Sequence, residues 1–100
     1  MSDLCLTILC PSAIDERLLD ALLMAGEVEV FTSARASAHG LDHHRLSTSE
    51  QVLGLAIMTQ VQALLRTEHR DTVLASLASQ FAGAGLRYWI TPVVAAGEFI

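Results

Sequence analysis

The chain has no lysine. Its six positive charges are all arginines: Arg17, Arg35, Arg45, Arg66, Arg70 and Arg87. The net charge is −5 at pH 7. Broad electrostatic binding to DNA, RNA or anionic lipid needs many cationic contacts, so nucleic acid is excluded as a partner. Long hydrophobic runs are missing too. No stretch reaches the roughly 18–20 uninterrupted apolar residues that span a bilayer. The apolar run Leu4–Cys10 follows Asp3 instead of a basic segment and is too short for a signal peptide. No direct membrane insertion and a cytoplasmic location are therefore expected. Cysteine is scarce. Cys5 and Cys10 are five apart on one expected strand, so they point to opposite faces, roughly 16 Å from each other. They cannot pair or share a metal while the strand is regular, and they read as buried thiols of a reduced compartment. Catalytic patterns are also missing. The chain has no strand-turn nucleophile, no Walker loop and no patterned carboxylate pair, so it is not expected to be an enzyme.

What is present is apolar surface. Of 100 residues, 52% are apolar and 17% charged, with a mean hydropathy of +0.46. One hundred residues make a single domain, here 1–100. So small a domain carries more apolar content than its own core needs, and a partner subunit is expected to cover the surplus.

The order of elements follows from periodicity. Leu4–Cys10 reads as a central strand ended by Pro11. Ser12 is placed to cap a helix, with Asp15 and Glu16 in its first turn. Ile14, Leu18, Leu22 and Ala25 form its apolar stripe, Leu19 and Leu23 widen it, and Gly26 ends it. Glu27–Thr32 alternates as a second strand. A polar segment, 33–50, follows. Gln51–Arg66 reads as a long third strand with Leu53, Leu55, Ile57, Thr59, Val61, Ala63 and Leu65 on one face and Gln60 and Gln62 on the other. Thr67–Asp71 starts a second helix, whose stripe is Val73, Leu74, Leu77, Ala78 and Phe81. Gly83 and Gly85 stop it. Leu86–Ile90 is the fourth strand, closed by Thr91-Pro92. The tail Val93–Ile100 is apolar apart from Glu98 and should pack on a neighbour or add an edge strand. The pattern predicts an α+β fold, a ferredoxin-like βαββαβ sandwich. Its four-stranded antiparallel sheet would carry two helices on one face, with a long loop between strands two and three.

That loop holds three of the four histidines, His39, His43 and His44. Two-strand connections usually need two to five residues, and long ones are functional more often than not. Neutral imidazoles suit zinc, copper, nickel or cobalt. His39 and His43 would share a face in a helix, and Asp42 could add a carboxylate or orient a histidine. A second candidate site is anionic. Arg66, Arg70 and Arg87 could join the Gly83-Ala84-Gly85 turn, where guanidinium groups and backbone amides suit phosphate.

With this order, the chain resembles the P-II-like superfamily of trimeric signalling proteins. Leu22-Leu23-Met24-Ala25-Gly26 looks like the family's first-helix ending. The segment around His39-Gly40 sits where the family carries its T-loop. Gly83-Ala84-Gly85 resembles its B-loop, and Thr91-Pro92-Val93 the close of its fourth strand. The chain looks like a small branch often encoded beside heavy-metal efflux pumps. The resemblance implies a homotrimer with a regulatory or sensor role in heavy-metal response. Its T-loop would bind a metal ion or a protein partner, such as a membrane transporter or efflux-system protein. It implies, as an alternative, an adenine nucleotide in the intersubunit cleft, or else a ligand-free structural adaptor. The family's B-loop follows its second glycine with lysine. Here Leu86 stands in that place and Arg87 comes next. The family's arginine-rich C-terminal loop has no counterpart, and Tyr88 is the only tyrosine.

Overall fold

The computed structural model describes residues 2–41 and 46–100. Strand β1 (Leu4–Pro11) leads through a 3-10 turn (Ser12–Ile14) into helix α1 (Asp15–Met24). Strand β2 (Val28–Ala38) follows, then a short helix α2 (Thr48–Leu53) and strand β3 (Ala56–Leu65). A 3-10 turn (Thr67–His69) opens helix α3 (Arg70–Gln80), and β4 (Arg87–Pro92) completes the sheet. The strand order is β2-β3-β1-β4, antiparallel throughout. This is the expected ferredoxin-like sandwich. Among the described residues no helix is long and apolar enough to cross a membrane.

The helix-covered face holds the main core. Leu6, Ile8 and Cys10 of β1 alternate inward, as do Val61, Ala63 and Leu65 of β3. Leu18 and Leu22 of α1 and Val73 of α3 close over them. Burial pushes the Cys10 thiol up to about 11, with the charge of Asp15 adding to the shift, so this thiol is inert. Thr59, also on this face, donates a 2.8 Å hydrogen bond to Asp15 Oδ2 and ties β3 to the start of α1. Arg17 lies over the Phe81 ring at 5.2 Å and straps α1 to the end of α3.

Four expectations change at element boundaries. β2 runs on to Ala38 instead of ending at Thr32, because Ser33–Ala38 pair along β3 from Val61 to Ala56. The third strand starts at Ala56, not Gln51, because residues 48–53 are helical. The Ser47 side chain accepts from Glu50 N–H while the Glu50 carboxylate accepts from Ser47 N–H, a reciprocal capping box. Gly54, in the left-handed region at φ 72°, ends that helix. Ser12 caps nothing. It lies inside the 3-10 turn, and the first α-helical residue is Asp15. Past Pro92 the tail forms no strand. Val93 N–H donates to Asp3 C=O at 2.9 Å, after which the chain leaves the ladder.

Asp3 also fixes the turn before α3. Its carboxylate accepts from Thr67 Oγ1 and Thr67 N–H, both at 2.7 Å. These two bonds hold its pKa below the usual value. A depressed carboxylate adds stability above its unfolded pKa of about 3.9, and that stability is lost as pH falls through the folded value. Asp3→Asn should therefore lower the melting temperature at neutral pH. The gap to wild type should close below the carboxylate range. Melts at both pH values check this, and a gap that survives acid would exclude the ionised Asp3 as its source.

Candidate functional site

The turn between α3 and β4 is made by glycine. Gly83 and Gly85 have φ of 74° and 87°, where residues with a Cβ are strained. A Cβ on Gly85 would also lie 3.6 Å from Pro11 Cγ. Arg87 is the first residue of β4 and pairs with Leu9 of β1. Its side chain is exposed on the sheet face that the helices leave open.

The segment after β2 folds its two ends toward the same place. Leu41 and Leu46, with Leu9, pack on the buried trio Ala38, Ala56 and Met58, a second small core on the open face. Glu50 anchors the far end. One carboxylate oxygen closes the capping box at 2.9 Å, and the other accepts from Ile57 N–H at the start of β3. The Ser47 and Ile57 amides hold the Glu50 pKa below its ordinary value.

These parts line one cavity of about 530 Å³. Leu41 and Glu50 come from the two ends of the segment; Gly83, Ala84, Gly85 and Arg87 form the opposite wall. Leu9 and Met58 give it an apolar floor. The cavity offers one guanidinium, the backbone of a glycine turn and a flat apolar surface. Such a set suits a ligand with an anionic group and an apolar body.

The five anion candidates do not form one site. Gly83, Gly85 and Arg87 meet in the cavity. Arg66 and Arg70 lie at the other end of the sheet. Arg66 follows Leu65, which pairs with Leu4, whereas Arg87 pairs with Leu9, roughly 16 Å along β1. Arg66 Nε sits 2.9 Å from Glu68 Oε1, and Arg70 Nε 3.1 Å from Asp71 Oδ1, so each already has a carboxylate. Helix α3 separates the two groups: Arg70 starts it and Gly83 lies beyond its end.

Of the metal candidates, His39 is exposed directly after β2. Asp42, His43 and His44 lie outside the described residues. Among the described residues no three His, Cys, Asp or Glu side chains are grouped to hold a metal ion. Leu41, Glu50, Leu9 and Met58 are additions that sequence reasoning missed. One signal was available for Glu50: a serine three residues ahead of a glutamate marks a helix start.

A family model described as "Protein of unknown function (DUF3240)" matches residues 1–100. No curated protein matches the chain in sequence. Among solved structures, a DUF3240 family protein from Shewanella baltica superposes with a TM-score of 0.81 at 15% identity. That match covers 100% of this chain and 99% of the other. A candidate PII-like signaling protein from Thermus thermophilus gives 0.64 at 14% identity, over 93% and 88% of the two chains. A Bacillus cereus protein related to NIF3 gives 0.69 at 12% identity, over 97% of this chain and 27% of that one. At these identities the structural likeness shows a shared fold.

Proposed function

The chain belongs to the DUF3240 family, and we propose that it is a P-II-like regulatory protein that acts by binding and not by catalysis. It works as a cytoplasmic homotrimer. A ligand in the cavity sets the conformation of the segment after β2, and that segment engages a protein partner, with membrane transporters and efflux systems as the class of target. One observation carries this reading: both ends of the segment, Leu41 and Glu50, line the same cavity as the Gly83–Gly85 turn and Arg87. A ligand there contacts the segment's anchors directly. Differential affinity for two segment conformations is all that a population shift requires. Arg87 and the turn amides favour an anionic group, and Leu9 and Met58 favour a flat apolar one. An adenine nucleotide has both.

A second reading concerns the segment itself. His39 stands exposed at its start, and His43, His44 and Asp42 follow within five residues. These side chains would take Zn²⁺, Cu²⁺, Ni²⁺ or Co²⁺, linking the protein to heavy-metal response.

Thermal shift assays separate the two. ATP, ADP and AMP should stabilise the wild type, by about 2.7 kcal/mol at a hundredfold excess over Kd. Arg87→Glu should abolish that shift and leave any metal shift intact. The triple change His39→Ala, His43→Ala, His44→Ala should do the reverse. If nucleotides and metals both fail to shift the wild type at millimolar concentration, both ligand readings fall.

A further inference from the structure

On the helix-covered side of the sheet, α3 and β4 leave a groove between them, about 370 Å³ in volume. Its accessible walls are Leu74, Leu77 and Ala78 of α3, Ala82 just beyond that helix, and Leu86 and Tyr88. Leu6, Ile8 and Phe81 lie buried beneath them. No charged side chain lines the groove, and the Tyr88 hydroxyl is the one polar side-chain group on its walls. A charged or sugar-like ligand would find no partners there, so the groove suits an apolar occupant. β4 is also an edge strand, with no strand paired to its outer side among the described residues. Such edges accept an extended segment through main-chain hydrogen bonds.

The same chain carries an extended apolar segment that covers nothing at its tip. Residues 93–100 form no helix or strand, and Phe99 and Ile100 are fully exposed. Burying two such side chains is favourable. Their own groove is out of reach on the path that the tail follows. Ala96, Gly97 and Glu98 line a groove with Val30 of β2 and Leu64 of β3, on the open face. From there β4 is two or three strand spacings away, about 10–14 Å, and its groove faces the opposite side. Phe99 and Ile100 add only about 7 Å of chain. The tip therefore stands on the β2–β3 side, whereas the groove opens along β4 at the other edge of the sheet. A contact between two different patches of one chain is head-to-tail, and repeated by rotation it closes a ring.

We propose that Phe99 and Ile100 of one copy dock in the groove between α3 and β4 of the next copy. The inference rests on the homotrimer of the proposed function and adds a contact that holds it together. It is independent of the Arg87 cavity and of any ligand there.

Light scattering across a dilution series tests it. Phe99→Ser with Ile100→Ser should raise the concentration at which the assembly dissociates at least tenfold. Ala78→Glu puts a charge on the groove wall and should do the same. Ser79→Glu, the next residue of α3 but off the groove, should assemble as the wild type does. All these changes are at exposed positions, and circular dichroism confirms the fold. A double variant, Phe99→Cys with Ala82→Cys, should form linked dimers and trimers on a denaturing gel after oxidation, and neither single change should. If the wild type is trimeric and the tail and groove variants dissociate no more readily, this contact alone is overturned. If the oxidised double variant closes only within one chain, the tail serves its own copy and the proposal is overturned as well. A wild type that is monomeric at every concentration removes the homotrimer and this contact together.

Discussion

Replacing Leu18 by alanine is expected to cost about 3 kcal/mol of unfolding free energy, within the range of buried leucine truncations. Leu18 is 0% exposed and belongs to the one core cluster that α1 shares with residues of β1 and β3. Its removal forfeits the transfer of the side chain from water and leaves a cavity that rigid strands beneath cannot collapse into. Total stability of a domain is about 5–15 kcal/mol, so the loss is a large share of it. The melting temperature should drop by about 10–20 °C. Leu23 on the same helix is 71% exposed, and Leu23→Ala should change stability by under about 0.5 kcal/mol. Urea unfolding of both variants checks the pair. A small loss at Leu18 would mean that α1 is not fixed to the sheet as described.

Half of that contrast was legible in the sequence: Leu23, expected to widen the apolar stripe, is instead exposed. Leu18 and Leu22 belong to the stripe that periodicity assigns to the core, and both are buried. The element order and sheet topology followed from the same reasoning. The boundaries did not, and the causes differ. Residues 33–38 are Ser, Ala and Arg, poor strand formers, yet they pair with β3 in register. Pairing to a strong neighbour overrides local preference. At residues 51–55 the error ran the other way. Leu53, Leu55 and Ile57 alternate as a strand would, but the Ser47–Glu50 capping box and left-handed Gly54 settle the segment as helix. Local hydrogen bonds outweighed a three-residue alternation. The connection between the two strands is accordingly displaced, spanning 39–55 and not the 33–50 that the sequence implied.

The site was legible in half. The glycine turn and Arg87 announce themselves by residue type, and the structure places them on one cavity. Arg66 and Arg70 look equivalent to Arg87 in a linear chain. They are separated from it by the length of α3, and each has a carboxylate beside it. Leu41 and Met58 carry no chemical signal at all. They matter only because Leu41 and Leu46, at the described ends of the segment, pack on the open face, a tertiary contact that no pattern of spacing encodes.

The open face also yields the largest expected change in assembly. Across its middle runs a row set by register: Thr32, Gln62, Thr7 and Trp89. Leu41 and Leu46 cover one end of this face, and tail residues 96–98 line a groove at the other. Within this row Thr7 is buried, while Thr32, Gln62 and Trp89 are exposed, Trp89 at 43%. A proposed trimer that buries this face gains from Trp89 and Val30, and satisfies Gln62 with polar partners of its neighbours. Gln62→Glu keeps the shape but sets one carboxylate per subunit inside a dry, shared interface. Each buried, unpaired charge costs several kcal/mol, and symmetry multiplies the cost by the number of copies. Light scattering should show the trimer dissociating to monomers, with circular dichroism unchanged because Gln62 is exposed within the single chain. Ser79→Glu, an exposed change on α3, adds the same charge and should leave the trimer whole. A trimeric mass for Gln62→Glu would place the contact elsewhere than this face. A monomeric wild type would remove the trimer itself, and leave Trp89 and Val30 as a surface for a different protein.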